Sequence, residues 1–267
     1  IIIFSIIENK IINKYNFYKK KYKKINKELN YVLDDNILYI SDNIGYLYAL
    51  DFIENKILWA KNYKVPFRSN LKLSQDKLIA ANQNNNLYFF NKKTGDILTM
   101  IPTEETPIKN QFINSLSVNN QESFFLNTYG SIYSINNDTL KINWFLNLNQ
   151  SIDINPSSLF KSNQIISQKD VIIVATNNFT YILDSATGII NHKKNFSSAI
   201  KPLLIEDHLF LVTPNNYLIC MNINNGKIIY SFDINQKISD FLNVKKGNVQ
   251  FKIIMMFNNK LFLFLKN

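Results

Sequence analysis

Few residues of this chain are of a type that does chemistry by itself. Cys220 is the one cysteine, and His192 and His208 are the two histidines. Cys220 lies in the apolar run Tyr217-Leu218-Ile219-Cys220-Met221, where a thiol packs as a small hydrophobe rather than acting as a nucleophile. It can form no disulfide within the chain and no thiolate metal site. His192 has no paired carboxylate or second histidine beside it, and His208 follows Glu206-Asp207 in what reads as a turn. Both are read as structural. There is no Gly-rich phosphate loop, no Ser-His-Asp set at a supporting spacing and no metal-ligand cluster. The sequence therefore assigns no catalytic, cofactor-binding or metal-binding residue.

The remaining chemistry is charge. The formal net charge is +10, and Arg68 is the only arginine among the cations. A partner of opposite sign, nucleic acid or an anionic membrane, would account for such an excess. So would AT-rich coding, because Lys, Asn and Ile are abundant together. Nucleic-acid binders favour Arg for bidentate contacts, and its scarcity argues for coding bias and against a nucleic-acid partner. The densest basic stretch runs from Tyr15 to Lys27, with Lys19-Lys20-Lys21 and Lys23-Lys24 interleaved with Tyr18 and Tyr22. It reads as a strand and exposed loop between repeats.

The elements that hold these residues repeat along the chain. Gly45 to Trp59 reads as strand, turn and strand: Tyr46, Tyr48 and Leu50 alternate with Leu47, Ala49 and Asp51, and a polar turn from Asp51 to Lys56 reverses the backbone. With Asp51 as anchor, Trp59 lies eight residues on. The pattern returns at Asn91, Asn136, Asp184 and Asn222, with Thr99, Trp144, His192 and Tyr230 eight residues on. Ser5 before Glu8-Asn9-Lys10-Ile11 and Lys266 after Leu261–Leu265 complete the series, at spacings of 38 to 48 residues. Strands throughout and a period of about 40–50 residues indicate a β-propeller of four-stranded blades. In the second interval, Ser69–Ser74, Lys77–Asn82, Leu87–Asn91 and Ile97–Ile101 are the expected strands from innermost to outermost. Inserts are expected at Pro102–Gln111, Ser117–Ser123 and Asn149–Lys169, and no helical period of useful length is visible. Asn, in pairs and triplets such as Asn84-Asn85-Asn86, takes the turn positions that the six glycines are too few to fill.

A blade apolar on both faces needs its neighbours as cover. Trp59, Trp144 and Tyr230 sit where a flat side chain on the outer strand can bridge to the next blade, contributing about 2–3 kcal/mol when buried. Thr99 and His192 depart from that pattern and imply weaker joints. The expectation is an all-β chain with about six blade repeats in a single domain over 1–267, with a partial blade at each end. No apolar run is long enough to span a membrane, and Ile1–Ile7 lacks the flanks of a signal peptide. The missing initiator Met and the mid-blade phase imply a fragment, with any secretion signal or lipid anchor upstream.

Ala49-x-Asp51-x-x-Glu54-Asn55-x-x-x-Trp59 resembles the repeat Ala-x-Asp-x-x-Thr-Gly-x-x-x-Trp of PQQ-like β-propellers. Asp184-Ser185-Ala186-Thr187-Gly188 and Asn91-Lys92-Lys93-Thr94-Gly95 match its turn more closely. The resemblance covers the whole chain and has two branches. Quinoprotein dehydrogenases bind PQQ and Ca²⁺ on the propeller axis, with a catalytic Asp and usually a vicinal disulfide. This chain has one Cys, no recognisable acidic ligand set and less than half their usual length. BamB-like outer-membrane assembly lipoproteins are eight-bladed, non-enzymatic periplasmic scaffolds that bind a β-barrel assembly protein through loops on one face. Size and layout resemble this second branch. It implies no cofactor, a protein partner in the outer-membrane assembly machinery, a periplasmic location with an outer-membrane anchor, and a fragment of an eight-bladed ring. The sensor propeller of a larger signalling protein is a third possibility.

A binding mouth is expected where each innermost strand begins, nine to eleven residues after the Trp-equivalent. Those positions are Arg68, Lys109, Asn155, Lys201 and Ser239. Three are cationic, which suggests a positive ring at one channel mouth and a partner contact there. Arg68 is the foremost candidate, with pairing to a nearby acid as its structural alternative.

Overall fold

Continuous apolar runs such as Val171–Ala175 and Leu209–Val212 cannot belong to strands with a wet face. In the computed structural model they form the middle strands of stacked antiparallel sheets. The structure describes residues 1–267 except 16, 17, 19, 23, 106–113, 150–159, 246 and 267. It divides into two compact units, Ile1–Leu116 and Ser117–Asn267.

The first unit opens with the hairpin β1 (Ile2–Ser5) and β2 (Lys10–Lys14), followed by a 3-10 turn at Lys20–Tyr22. Next comes the sheet β3 (Leu29–Asp34), β4 (Ile37–Asp42), β5 (Tyr46–Asp51), β6 (Lys56–Asn62), then β7 (Lys72–Ser74), β8 (Lys77–Ala81), β9 (Leu87–Asn91), β10 (Ile97–Ile101). Each sheet is four-stranded with strands in sequence order. The second unit contains three more such sheets. They are β11 (Ser115–Val118, which crosses the division), β12 (Glu122–Leu126), β13 (Ser131–Asn136), β14 (Ile142–Asn147); β15 (Ile166–Gln168), β16 (Val171–Ala175), β17 (Thr180–Asp184), β18 (Ile190–Lys194); and β19 (Leu203–Ile205), β20 (His208–Val212), β21 (Tyr217–Asn222), β22 (Ile228–Asp233). A helix, α1 (Ile234–Leu242), and a hairpin of β23 (Phe251–Phe257) and β24 (Lys260–Leu265) follow.

The two-residue strand period distributes the core. Ile172 and Val174 of β16 join Phe124, Leu126 and Ile132 of the preceding sheet, whereas Ile173 between them joins Leu209, Leu211 and Met221 of the next. Phe210 and Val212 then face Ile254 of β23. Each middle strand thus has two buried faces, and each fully buried Ile or Leu contributes about 1.5–3 kcal/mol. In the first unit, Tyr39, Leu47, Ala49, Leu78, Ala80 and Phe90 form the corresponding joint.

The anchors are explained by their hydrogen bonds. The side-chain oxygen of Asp51 accepts from the backbone N–H groups of Ile53 at 3.0 Å and Glu54 at 2.8 Å. Asn91, Asn136 and Asn222 accept the same pair of N–H groups. Asp184 takes the Thr187 N–H and hydroxyl, and Ser5 the Glu8 N–H. These are Asx-type turns, and they require a carboxylate, carboxamide or hydroxyl at the anchor. Four residues on, at Asn9, Asn55, Gly95, Leu140, Gly188 and Gly226, the backbone is left-handed, a conformation that Gly and Asn adopt most readily.

Four expectations are corrected. Ser117–Ser123 is not an insert: it holds the end of β11, a turn and the start of β12. Lys266 is not an anchor. Leu261–Leu265 meets β23 across the two-residue turn Asn258-Asn259, as β20 meets β19 across Glu206-Asp207, so it matches the second strand of a blade and not the third, which precedes an anchor. And a helix does occur: Asp233 caps it by accepting from Gln236 N–H at 3.1 Å, and Asn243 ends it at φ 53°. At nine residues it is too short for its period to stand out. Ser239 lies inside this helix and not at the start of an innermost strand.

Candidate partner interface

Two structural features place the side chains singled out by the repeat: the joint between blades and the segment that enters each innermost strand. At the joint, Trp59 Nε1–H donates to the Lys92 carbonyl at 3.0 Å, and Trp144 Nε1–H to the Ser185 carbonyl at 2.9 Å. Both carbonyls lie in the turn of the following blade. The indole rings cover the turn glycines so closely that a Cβ on Gly95 or Gly188 would meet Cε3 of Trp59 or Trp144 at 2.6 Å. His192 takes the same position: its Nε2 lies 3.2 Å from the Asn224 carbonyl and its ring covers Gly226. A carbonyl can only accept, so Nε2 carries the proton in this contact. Tyr230 lies opposite Cys220 in the β21–β22 pair, is 42% exposed, and stacks on Phe232 at 6.2 Å between ring centroids.

At the entry segments, Arg68 is bound on both sides of its backbone. Its N–H donates to the Ala81 carbonyl at 3.0 Å and its carbonyl accepts from Asn114 N–H at 2.7 Å. Its guanidinium Nη1 meets Glu28 Oε2 at 2.7 Å, and the side chain is 17% exposed. The structural alternative expected for Arg68, pairing with an acid, is therefore present. Arg68 Nε is buried without a hydrogen-bond partner among the described residues, so the guanidinium retains an unspent donor. In the second unit, Lys201 is exposed between the buried residues Ile200 and Pro202. Lys109 and Asn155 lie outside the described residues.

Sequence reasoning passed over the neighbours of these positions. In the second unit Ser162, Asn163, Thr176, Asn177, Ser197 and Ser198, with Lys161 and Pro214, line a groove of about 330 Å³. It forms because Ser162 bridges Thr176, and Asn163 N–H donates to the Ala175 carbonyl at 2.8 Å. The entry segment and the loop after the second strand are thereby held side by side. Asn163 Nδ2 donates to the Ser198 carbonyl, and Ser197 Oγ to the Thr176 carbonyl, which fixes the walls. Hydroxyls and carboxamides with one ammonium suit the N–H and C=O groups of an extended polypeptide. The missed signal was the small polar residues flanking each apolar strand, which composition hides among ordinary loop residues.

Burial pushes the Cys220 thiol above its ordinary value, which keeps it a poor nucleophile. His208 is the first residue of β20 rather than a turn residue, and its Nδ1 lies 2.7 Å from Asp207 Oδ1, both side chains being partly exposed. Among the described residues no three His, Cys, Asp or Glu side chains gather as a metal-holding group, and no helix is long and apolar enough to cross a membrane.

Four-stranded antiparallel blades, joined by Asx turns under aromatic rings, define a β-propeller of PQQ-like repeats. The chain belongs to the family described as outer membrane protein assembly factor BamB, whose family model matches residues 18–232. The crystal structure of BamB from Moraxella catarrhalis aligns with a TM-score of 0.74 at 12% identity, over 96% of this chain and 74% of that one. A computationally designed protein, Ika8, aligns at 0.65 with 10% identity, over 88% of this chain and 67% of its own. Quinohemoprotein alcohol dehydrogenase from Comamonas testosteroni aligns at 0.60 with 13% identity, over 78% of this chain and 43% of its own. At these identities the likeness is one of fold. A search of the curated proteins finds no match to the chain.

Proposed function

We propose that the chain is a non-enzymatic scaffold of the outer-membrane assembly kind, working in the periplasm by holding a β-barrel assembly protein through its propeller loops. The observation that carries this reading is the family match over residues 18–232. It is supported by the polar groove at Ser162, Thr176 and Ser198, which suits a polypeptide. Arg68 and Lys201 are the proposed contact residues on the entry segments, one in each unit.

The test is affinity capture from outer membranes, with crosslinking, on wild type and on Lys201→Glu. The expected result is a β-barrel protein recovered with wild type and reduced roughly tenfold by the variant, the order of effect of truncating a well-placed interface contact. Arg68→Gln, which keeps the size and removes the charge, should act in the same direction. Failure to recover any barrel, or uptake of quinone with Ca²⁺ and oxidation of alcohols by the purified chain, would refute the scaffold reading.

A further inference from the structure

We propose that Lys20, Lys21, Lys24 and Ile25 form a docking patch for an anionic phospholipid surface. From Asn9 to Lys27 the sequence contains eight lysines and no acidic residue. Composition explains lysine in quantity but does not say which way the side chains face. In the structure the interleaved aromatic residues face inward. Tyr18, Tyr22 and Tyr46 pack edge to face at 6.5, 6.2 and 6.0 Å between centroids. Tyr18 OH donates to Asp42 Oδ2 at 2.6 Å, and Lys27 Nζ donates to the Tyr22 carbonyl. The tyrosines are thereby pinned to the end of β4 and the start of β5, and Lys20, Lys21 and Lys24 remain exposed.

Beside this segment, Glu28 is ion-paired with Arg68, and Asp42 accepts a hydrogen bond from Tyr18. Among the described residues, Lys20, Lys21 and Lys24 make no ion pair. The patch therefore keeps its positive field. Ile25, beside it, is 44% exposed and offers an apolar side chain at the level of the lysine stems.

These features select the occupant. Single-stranded nucleic acid needs free aromatic faces for stacking, and the tyrosine rings here are spent on one another. Base and phosphate recognition favours the planar fork of Arg, which the patch lacks. Lysine point charges on flexible stems, without a shaped pocket, match a fluid anionic surface. The patch shares no residue with the proposed partner contacts, so the two readings can fail separately.

The test is co-sedimentation of the full chain with phosphatidylcholine vesicles, with and without phosphatidylglycerol. Binding is expected only with the anionic lipid, and to fall steeply as salt rises from about 0.1 M to 1 M and the screening length shrinks from about 10 Å to 3 Å. K20E/K21E/K24E should weaken it at least ~10-fold, with the circular dichroism spectrum unchanged. A charge-matched control on exposed turn and strand-end lysines, K56E/K93E/K227E, should retain most of it. Equal loss in the two triple variants would reduce the effect to net charge and overturn the assignment. So would an absence of vesicle binding, or a duplex oligonucleotide or acidic polypeptide that binds more tightly and displaces the vesicles.

Discussion

Two joints built on one plan differ in how much supports them. At the first, the Trp59 ring lies over Gly95 and its N–H reaches the Lys92 carbonyl; Tyr63 OH donates to the Gly95 carbonyl, and Lys61 pairs with Asp96. At the second, the His192 ring lies over Gly226 and reaches the Asn224 carbonyl. The shared features show what the position demands: a flat ring with an N–H at its far edge, and a glycine beneath it. The differences show what is optional. Sequence makes the same point where the ring is missing. Asn13 and Thr99 stand eight residues after their anchors, and the left-handed turn residues one repeat later are Asn55 and Leu140 rather than Gly. Glycine at this turn is therefore kept for the space under a ring as well as for its backbone freedom.

The largest effect expected from breaking the comparison comes from the ring itself. Trp59→Ala should cost about 3 kcal/mol, the low end for a large aromatic because Trp59 is only partly buried. His192→Ala should cost about half as much, and equal losses in chemical denaturation would show that ring area is not what matters. Next is the glycine. Gly95→Ala places a Cβ 2.6 Å from Trp59 Cε3 at φ +73°, and Gly226→Ala one 2.8 Å from His192 Nδ1 at φ +66°. Each should cost about 2 kcal/mol from steric and backbone strain, with Gly95→Ala the worse because an indole cannot step aside as easily as an imidazole.

Tyr63 sharpens the contrast with a pH signature. Burial, then the Asp96 carboxylate, pushes its phenol up to about 12. Its folded pKa is raised above that of an unfolded tyrosine, near 10. The associated stability is therefore fully present below about pH 10 and is lost as pH rises through 12. Tyr63→Phe should cost about 1 kcal/mol at neutral pH and flatten the alkaline limb measured by urea unfolding; an unchanged limb would remove Tyr63 from the account. His192→Trp should stabilise by about 1 kcal/mol, supplying the ring the repeat favours. A loss instead would mean that the second joint is shaped for the smaller ring. The smallest effect belongs to Lys61→Ala, below about 0.5 kcal/mol, because its pair with Asp96 is exposed.

Much of the fold was legible because blade strands are short, apolar and punctuated. The interval from Lys77 to Ile101 resolves into strands within a residue or two of the expected bounds, since turn chemistry and hydrophobic run agree there. The readings of Ser117–Ser123 and Lys266 failed where one signal was available without the other. Polar strand residues such as Ser117 read as loop, and a run of Leu and Phe reads alike in any strand of a blade. Helix α1 was missed because Ile234 and Ile238 make too short a period to rise above the surrounding strands. Of the candidate interface, Arg68 and Lys201 were visible as cations at a fixed offset. The Glu28 pairing and the groove walls were not, since they join residues far apart in the chain.

The sequence by itself determined the repeat, the Asx anchors at Asp51, Asn91, Asn136, Asp184 and Asn222, and the positions of Trp59 and Trp144. Each depends on a residue type at a fixed local offset, and local offsets survive without coordinates. Only the tertiary structure decided that His192 serves as a joint ring, that Arg68 is tied to Glu28, and that Lys20, Lys21 and Lys24 are exposed beside a packed tyrosine cluster. Those outcomes depend on which side chains meet across blades and loops, and that is settled by packing rather than by spacing along the chain.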